Sequence, residues 1–279
     1  MKLIKKTMIL AAALFAIVSA NAATVNYSPG DLIIGFTTNS GQGAGQVLMV
    51  SLGSATAFRD ATTNNFSITT IGVDLEGTFG ANWYDRTDLY WGAIGVYNSV
   101  PEGDTTNGDL DGTVYVSKAR GIGGTAGTKN STTWNTTNGD DDTALTRLGV
   151  MQSNFDTQTA SDNNANVAVF DKNSASWDKW NPPVSDASKS FGAYSSTGVG
   201  IQQKFTTGSY DTILGNGIEG ALDLYRNVYH GAAGYEGTLT INQNGDIGYV
   251  VTVPEPSTYA LIGLGLGAVL FFRRRLQQA

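Results

Sequence analysis

His230 is the single histidine of this 279-residue chain, and the chain has no cysteine. These two counts narrow the available chemistry sharply. A Ser-His-Asp relay would have to use His230, which sits in a turn-like Tyr229-His230-Gly231 setting. No Gly-x-Ser-x-Gly elbow accompanies it. A zinc site would lack both thiolates and a second imidazole. Cysteine nucleophiles and disulfides are excluded by composition. Carboxylates are plentiful, and glycoside hydrolysis needs only two of them a few ångströms apart. Glu76, Glu102, Glu219 and Glu236 are available, but their spacing singles out no pair. The expectation is a protein with no catalytic residue.

The acids that are clustered suggest a cation instead. Asp104, Asn107, Asp109 and Asp111 precede Gly112, and Asn107-x-Asp109-x-Asp111-Gly112 copies the opening of a calcium-binding loop. Alternate oxygen donors followed by a glycine let a tight loop turn its oxygens inward. The twelfth position, which should supply a bidentate glutamate, is Lys118. Asn138-Gly139-Asp140-Asp141-Asp142 is a second acidic run. Solvated turns are the ordinary reading of both, because Asp and Asn are default turn residues. Calcium at Asn107, Asp109 and Asp111 is therefore the one cofactor the sequence offers.

Aromatic residues could also bind. Trp83, Tyr84, Tyr90 and Trp91, if exposed, would make a stacking platform for sugars. Leu89 and Trp91 share one face of a strand, however, which favours a place in the core. Trp134, Trp177 and Trp180 lie in polar stretches and are scattered. Gly121-Ile122-Gly123-Gly124 lacks the strand, helix and Lys that a phosphate loop requires, and Gly263-Leu264-Gly265 lies within an apolar run.

The two ends carry the clearest signals. Lys2, Lys5 and Lys6 precede the apolar run Met8–Val18, and Ala20-Asn21-Ala22 presents small residues at Ala20 and Ala22, the positions a signal peptidase reads. Residues 1–22 are thus expected to be a secretory signal. At the other end, Thr258–Phe272 is apolar or small and is followed at once by Arg273, Arg274 and Arg275. A helix over that stretch is ~22 Å long at ~1.5 Å per residue, short for a ~30 Å hydrocarbon core but able to anchor with snorkelling flanks. The arginines would stop transfer and stay on the cytoplasmic side. Six of the 17 bases sit in these ends, so residues 23–256 carry 11 bases against 24 acids, a net of −13. A surface that acidic repels phosphate backbones, which excludes nucleic acid as a partner.

Pro254-Glu255-Pro256, the apolar stretch and the Arg cluster, in that order, resemble the PEP-CTERM sorting domain of Gram-negative bacteria that make extracellular polysaccharide. The resemblance covers residues 254–279. It implies recognition by an exosortase, an integral-membrane cysteine protease or transpeptidase. Pro254, Glu255 and Pro256 would then be substrate residues, with the prolines holding an extended backbone that a protease cleft accepts. Gly30–Phe36, Ser51–Ala55, Trp91-Gly92 and Ala221–Arg226 are in turn similar to a group of uncharacterised PEP-CTERM proteins from Verrucomicrobia-type genomes, which brings no activity with it.

Between the ends, residues 23–253 read as a β-rich extracellular domain. Strands are expected at Gly30–Phe36, Gly45–Leu52, Leu89–Tyr97, Thr113–Ser117, Val167–Phe170, Gly198–Phe205 and Ala221–Tyr225. Gly237–Ile241 and Ile247–Val253 flank Asn244-Gly245, a strong hairpin signal. Ile68, Ile71, Leu75 and Phe79 are spaced for one face of a short helix, as are Ala144, Leu145, Leu148 and Met151. Residues 98–112, 119–143 and 156–165 read as loops. The pattern predicts a mainly β fold, a β-sandwich or barrel-like ectodomain with one or two short helices, between the signal peptide and a single C-terminal membrane helix. The expected role is that of an exported, exosortase-sorted component of the surface or polysaccharide matrix, structural or adhesive; the rival is a carbohydrate-binding module or polysaccharide hydrolase. The expected partners are signal peptidase, exosortase, the membrane before processing, and extracellular polysaccharide.

Overall fold

The computed structural model describes residues 23–38, 40–97, 105–106, 108–119, 126–127, 138–171, 203–204, 218–229, 231 and 233–251. Strands β1 (Asp31–Thr38), β2 (Gln46–Ser54), β3 (Asn65–Thr70), β4 (Leu89–Val96), β7 (Val114–Ala119), β8 (Val167–Asp171), β10 (Ile218–Asn227), β11 (Ala233–Asn242) and β12 (Asp246–Val251) form one curled antiparallel sheet. Their order is β3-β12-β11-β10-β7-β4-β1-β2-β8, with the two-residue β9 (Gln203–Lys204) paired to β4. A separate small hairpin joins β5 (Thr105–Thr106) to β6 (Asp109–Leu110). Helices α1 (Ala55–Arg59), α2 (Gly72–Phe79) and α3 (Asn138–Asp156) complete the described elements, with one turn of 3₁₀ helix at Trp83–Asp85.

Both faces of this sheet are covered, which explains why its central strands read as unbroken apolar runs. Along β1 all eight residues are buried. Leu32, Ile34 and Phe36 enter an inner core with Leu48, Val50, Trp91, Leu224 and Leu239, closed by Phe58 of α1 and Leu75 and Phe79 of α2. Ile33, Val47, Met49, Ile94 and Val116 point the other way, onto Leu148, Met151 and Phe155 of α3. An antiparallel sheet with one wet face would alternate apolar and polar residues; this one cannot, because the strand's period of two serves two cores. Each large side chain so buried contributes about 1.5–3 kcal/mol. Trp91 is completely buried and stacks on Phe36 at 5.9 Å. A Cβ on Gly220 would stand 2.8 Å from the Trp91 ring, so glycine is what lets β10 pass the indole.

The sequence reading holds for the long apolar strands and for the β11–β12 hairpin, whose Gly245 has φ +77°. That turn packs on the start of α2, where the Ile71 N–H donates to the Gly245 carbonyl at 3.0 Å. Three expectations are corrected. Ile71, Leu75 and Phe79 do line a buried helix face, but Ile68 lies in β3, an edge strand paired to β12. Residues 138–143 belong to α3 rather than a loop, in keeping with the preference of acids for a helix N-terminal turn. The 98–112 segment contains the β5–β6 hairpin.

The curl brings the two ends of the strand order together. The loop before β8 reaches toward β3 and α2: the Asn164 amide donates to Thr69 Oγ1 at 3.2 Å, and Ser161 and Asn163 both donate to Asp74. The first described residues run along the same loop, with the Val25 N–H on the Gln158 carbonyl and the Asn26 N–H on the Ala165 carbonyl. Side chains thus bridge a seam between β3 on one side and β2 and β8 on the other.

Candidate functional site

Asp109, the central member of the proposed calcium loop, has a different occupation. It is completely buried. Its Oδ1 receives Nη1 of Arg59 at 2.8 Å and Nε of Arg226 at 2.6 Å, and its Oδ2 receives the Tyr115 hydroxyl at 2.5 Å. Both oxygens are therefore spent, and two guanidinium groups stand where a cation would have to enter. Burial, followed by the hydrogen bond to Asp109, pushes the Tyr115 phenol well above the usual tyrosine value. Asp111 lies in the adjoining turn, and Asn107 falls outside the described residues. The cluster ties the β5–β6 hairpin to α1 and β10; Asp109 is a fastening, and a costly one to break because the buried Tyr115 hydroxyl would lose its acceptor and Arg226 its carboxylate.

The other residues raised by the sequence disperse. Trp83, Tyr90 and Trp91 are buried, so they form core rather than platform. His230, Trp134, Trp177, Trp180 and Glu102 lie outside the described residues. Glu76 is on α2, Glu219 accepts a hydrogen bond from Gln243 at 2.8 Å, and Glu236 faces the Asp109 cluster. Glu219 and Glu236 are on neighbouring strands, but Glu236 lies opposite the bulge at Leu224/Tyr225. At ~3.3 Å per residue that leaves them more than ~15 Å apart along the sheet, beyond the ~5–9.5 Å of glycosidase pairs. No group of three His, Cys, Asp or Glu side chains suited to a metal occurs among the described residues.

What the fold does assemble is a cleft at the seam. A cavity of about 220 Å³ is lined by Asn26, Asp31, Ser51, Thr69 and Asn166. A second, of about 190 Å³, has Phe58 and Tyr249 in its wall, the two rings meeting edge to face at 5.0 Å. Leu52 and Ile68 line both cavities, so one polar and one apolar compartment adjoin across that pair. Asp31 is 9 % exposed. Its Oδ2 accepts the Ser51 hydroxyl at 2.7 Å and the Ser28 N–H at 3.0 Å. Its Oδ1 accepts nothing among the described residues. The Asn26 amide donates to Asn166 Oδ1 at 3.0 Å, which leaves the Asn26 carbonyl and the Asn166 NH₂ open. Sequence reasoning missed every one of these residues. The only local signal is an acid, Asp31, standing directly before the apolar run Leu32–Ile34.

The tail residues Pro254, Glu255, Pro256, Arg273, Arg274 and Arg275 lie outside the described residues, as do Ala20 and Ala22. Among the described residues no helix is long and apolar enough to cross a membrane. Comparison with known families bears on the tail directly. Residues 252–275 match the PEP-CTERM protein-sorting motif. The match begins one residue after β12 ends and takes in the Pro-Glu-Pro element, the apolar stretch and all three arginines. A PEP-CTERM motif marks an exported protein that an exosortase processes and sorts to the cell surface. No curated protein and no solved structure matches the chain.

Proposed function

We propose that this chain is a non-catalytic component of the bacterial surface or of the extracellular polysaccharide matrix, with its β-rich body in a structural or adhesive role. The observation that carries the reading is the PEP-CTERM motif attached directly behind the last strand of a sheet buried on both faces. Residues 1–22 direct export, and Thr258–Phe272 with the arginines hold the chain in the inner membrane until the exosortase acts at the Pro-Glu-Pro element. Glu255 offers that enzyme an acidic handle at the membrane surface. The test is cell fractionation with intact-mass measurement of wild type and Glu255→Ala. The wild-type chain is expected at the surface or in the medium without residues 1–22 or its apolar tail. The variant is expected full-length at its C-terminus and in the membrane fraction. Unchanged processing of the variant refutes the role given to Glu255.

A second reading, a carbohydrate-binding module, is favoured by one observation, the polar seam cleft with its aromatic neighbour.

A further inference from the structure

We propose that the polar compartment at the seam binds a neutral saccharide unit through its hydroxyl groups, with the carboxylate of Asp31 as the principal acceptor. The inference deepens the carbohydrate-binding reading and is independent of how the protein is sorted.

The fold leaves several hydrogen-bonding valences open in this compartment. Among the described residues Asp31 is fastened by one oxygen only, and it lines a cavity with no described basic side chain. Its other oxygen remains able to accept a hydrogen bond from whatever enters the cavity. Beside it the Asn26–Asn166 pair leaves one carbonyl and one NH₂ open, and turning both amides over leaves the same one of each. Thr69 Oγ1 accepts from Asn164, so its own hydrogen is free to donate. The open set is thus two acceptors and two donors on four side chains.

That mixture selects the ligand class. A cation wants acceptors alone, and a hard divalent ion wants more than one carboxylate. An anion wants donors alone and would meet Asp31. A hydroxyl is donor and acceptor together, so adjacent hydroxyls on a sugar ring answer interleaved donors and acceptors one for one. The apolar compartment across Leu52 and Ile68 suits the C–H face of a neighbouring unit. The lone carboxylate and the net charge of −13 over residues 23–256 weigh against uronic acids.

The experiment uses the full chain in a detergent without a sugar headgroup. It is titrated by NMR with glucose, galactose, mannose and N-acetylglucosamine, and with glucuronate, calcium chloride and methylammonium as controls. At least one neutral sugar is expected to bind saturably, glucuronate markedly less well. Asp31→Asn, which keeps the size and removes the charged acceptor, is expected to weaken binding about tenfold or more. Thr69→Val removes a donor without changing shape and serves if Asp31→Asn does not fold. The proposal is overturned if no neutral sugar binds, if binding survives both substitutions, or if calcium or methylammonium binds in a way that Asp31→Asn abolishes. A sugar-binding failure alongside normal processing of the tail would leave the sorting proposal standing.

Discussion

Asp109 and Asp31 are both buried carboxylates, and the fold treats them in opposite ways. Asp109 meets two guanidinium groups and a phenol, and neither oxygen is left over. Asp31, which lines a cavity, meets a hydroxyl and one N–H, both on the same oxygen, and the other has no partner among the described residues. A saturated carboxylate can only hold the structure together. One that is half-satisfied by neutral donors is anchored yet still able to accept. The difference separates a fastening from a site more surely than the residue type, which is the same in both.

The comparison can be broken by substitution. The largest effect is expected at Asp109→Ala, which takes the carboxylate from Arg226 and Tyr115 and leaves Arg59 with Asp60 alone among the carboxylates described. The loss should be about 3 kcal/mol or more, read as a lowered urea midpoint. A loss below about 1 kcal/mol would remove Asp109 from the structural role. Asp31→Asn should cost less than about 1 kcal/mol in the same assay, because the amide oxygen can keep the Ser28 and Ser51 bonds while its NH₂ faces the cavity. Equal losses at the two positions would erase the distinction between them.

The smallest effect concerns Glu236, beside the Asp109 cluster. Burial raises its carboxyl above the ordinary glutamate value, with Asp109 adding to the shift and Arg226 and Arg59 opposing it. The folded state therefore holds this proton more tightly than the unfolded chain does. The stability it contributes is complete below the ordinary glutamate range and is lost as pH rises through the raised value. Glu236→Gln should flatten that decline and slightly stabilise the protein at neutral pH, as thermal melts from acid to neutral conditions would show. A steeper decline in the variant would mean that the neighbouring arginines outweigh burial.

How much of this was legible in the sequence depends on whether a feature is local. The strands β1, β2, β4, β10 and β11 announce themselves through apolar runs, and Asn244-Gly245 marks its own hairpin. The sorting tail is likewise written in one short stretch. β3 escaped because Asn-Phe-Ser-Ile-Thr-Thr alternates over only two apolar residues and forms an exposed edge without a buried face. Its Ile68 happens to fall in helical register with the buried face of α2, which drew the helix too far back. The chemistry of the acids was illegible for another reason. Arg226 is 117 residues from Asp109, Asn166 comes beside Asp31 only because β8 and β1 both flank β2, and Thr69 joins them only because the sheet curls until its ends meet. Spacing along the chain cannot show which acid meets a base and which meets a cavity.

The place where β12 stops sets the length of a leash. Val251 closes the strand, and Pro254 follows three residues later. Even fully stretched, three residues reach no more than ~11 Å. An exosortase that grips the Pro-Glu-Pro element must therefore work almost against the folded sheet, with its cleft and the rim of the β body nearly touching. The shape of that rim, formed by the end of β12, Gly237 in the middle of β11 and the start of β3, is then part of what the enzyme has to accommodate.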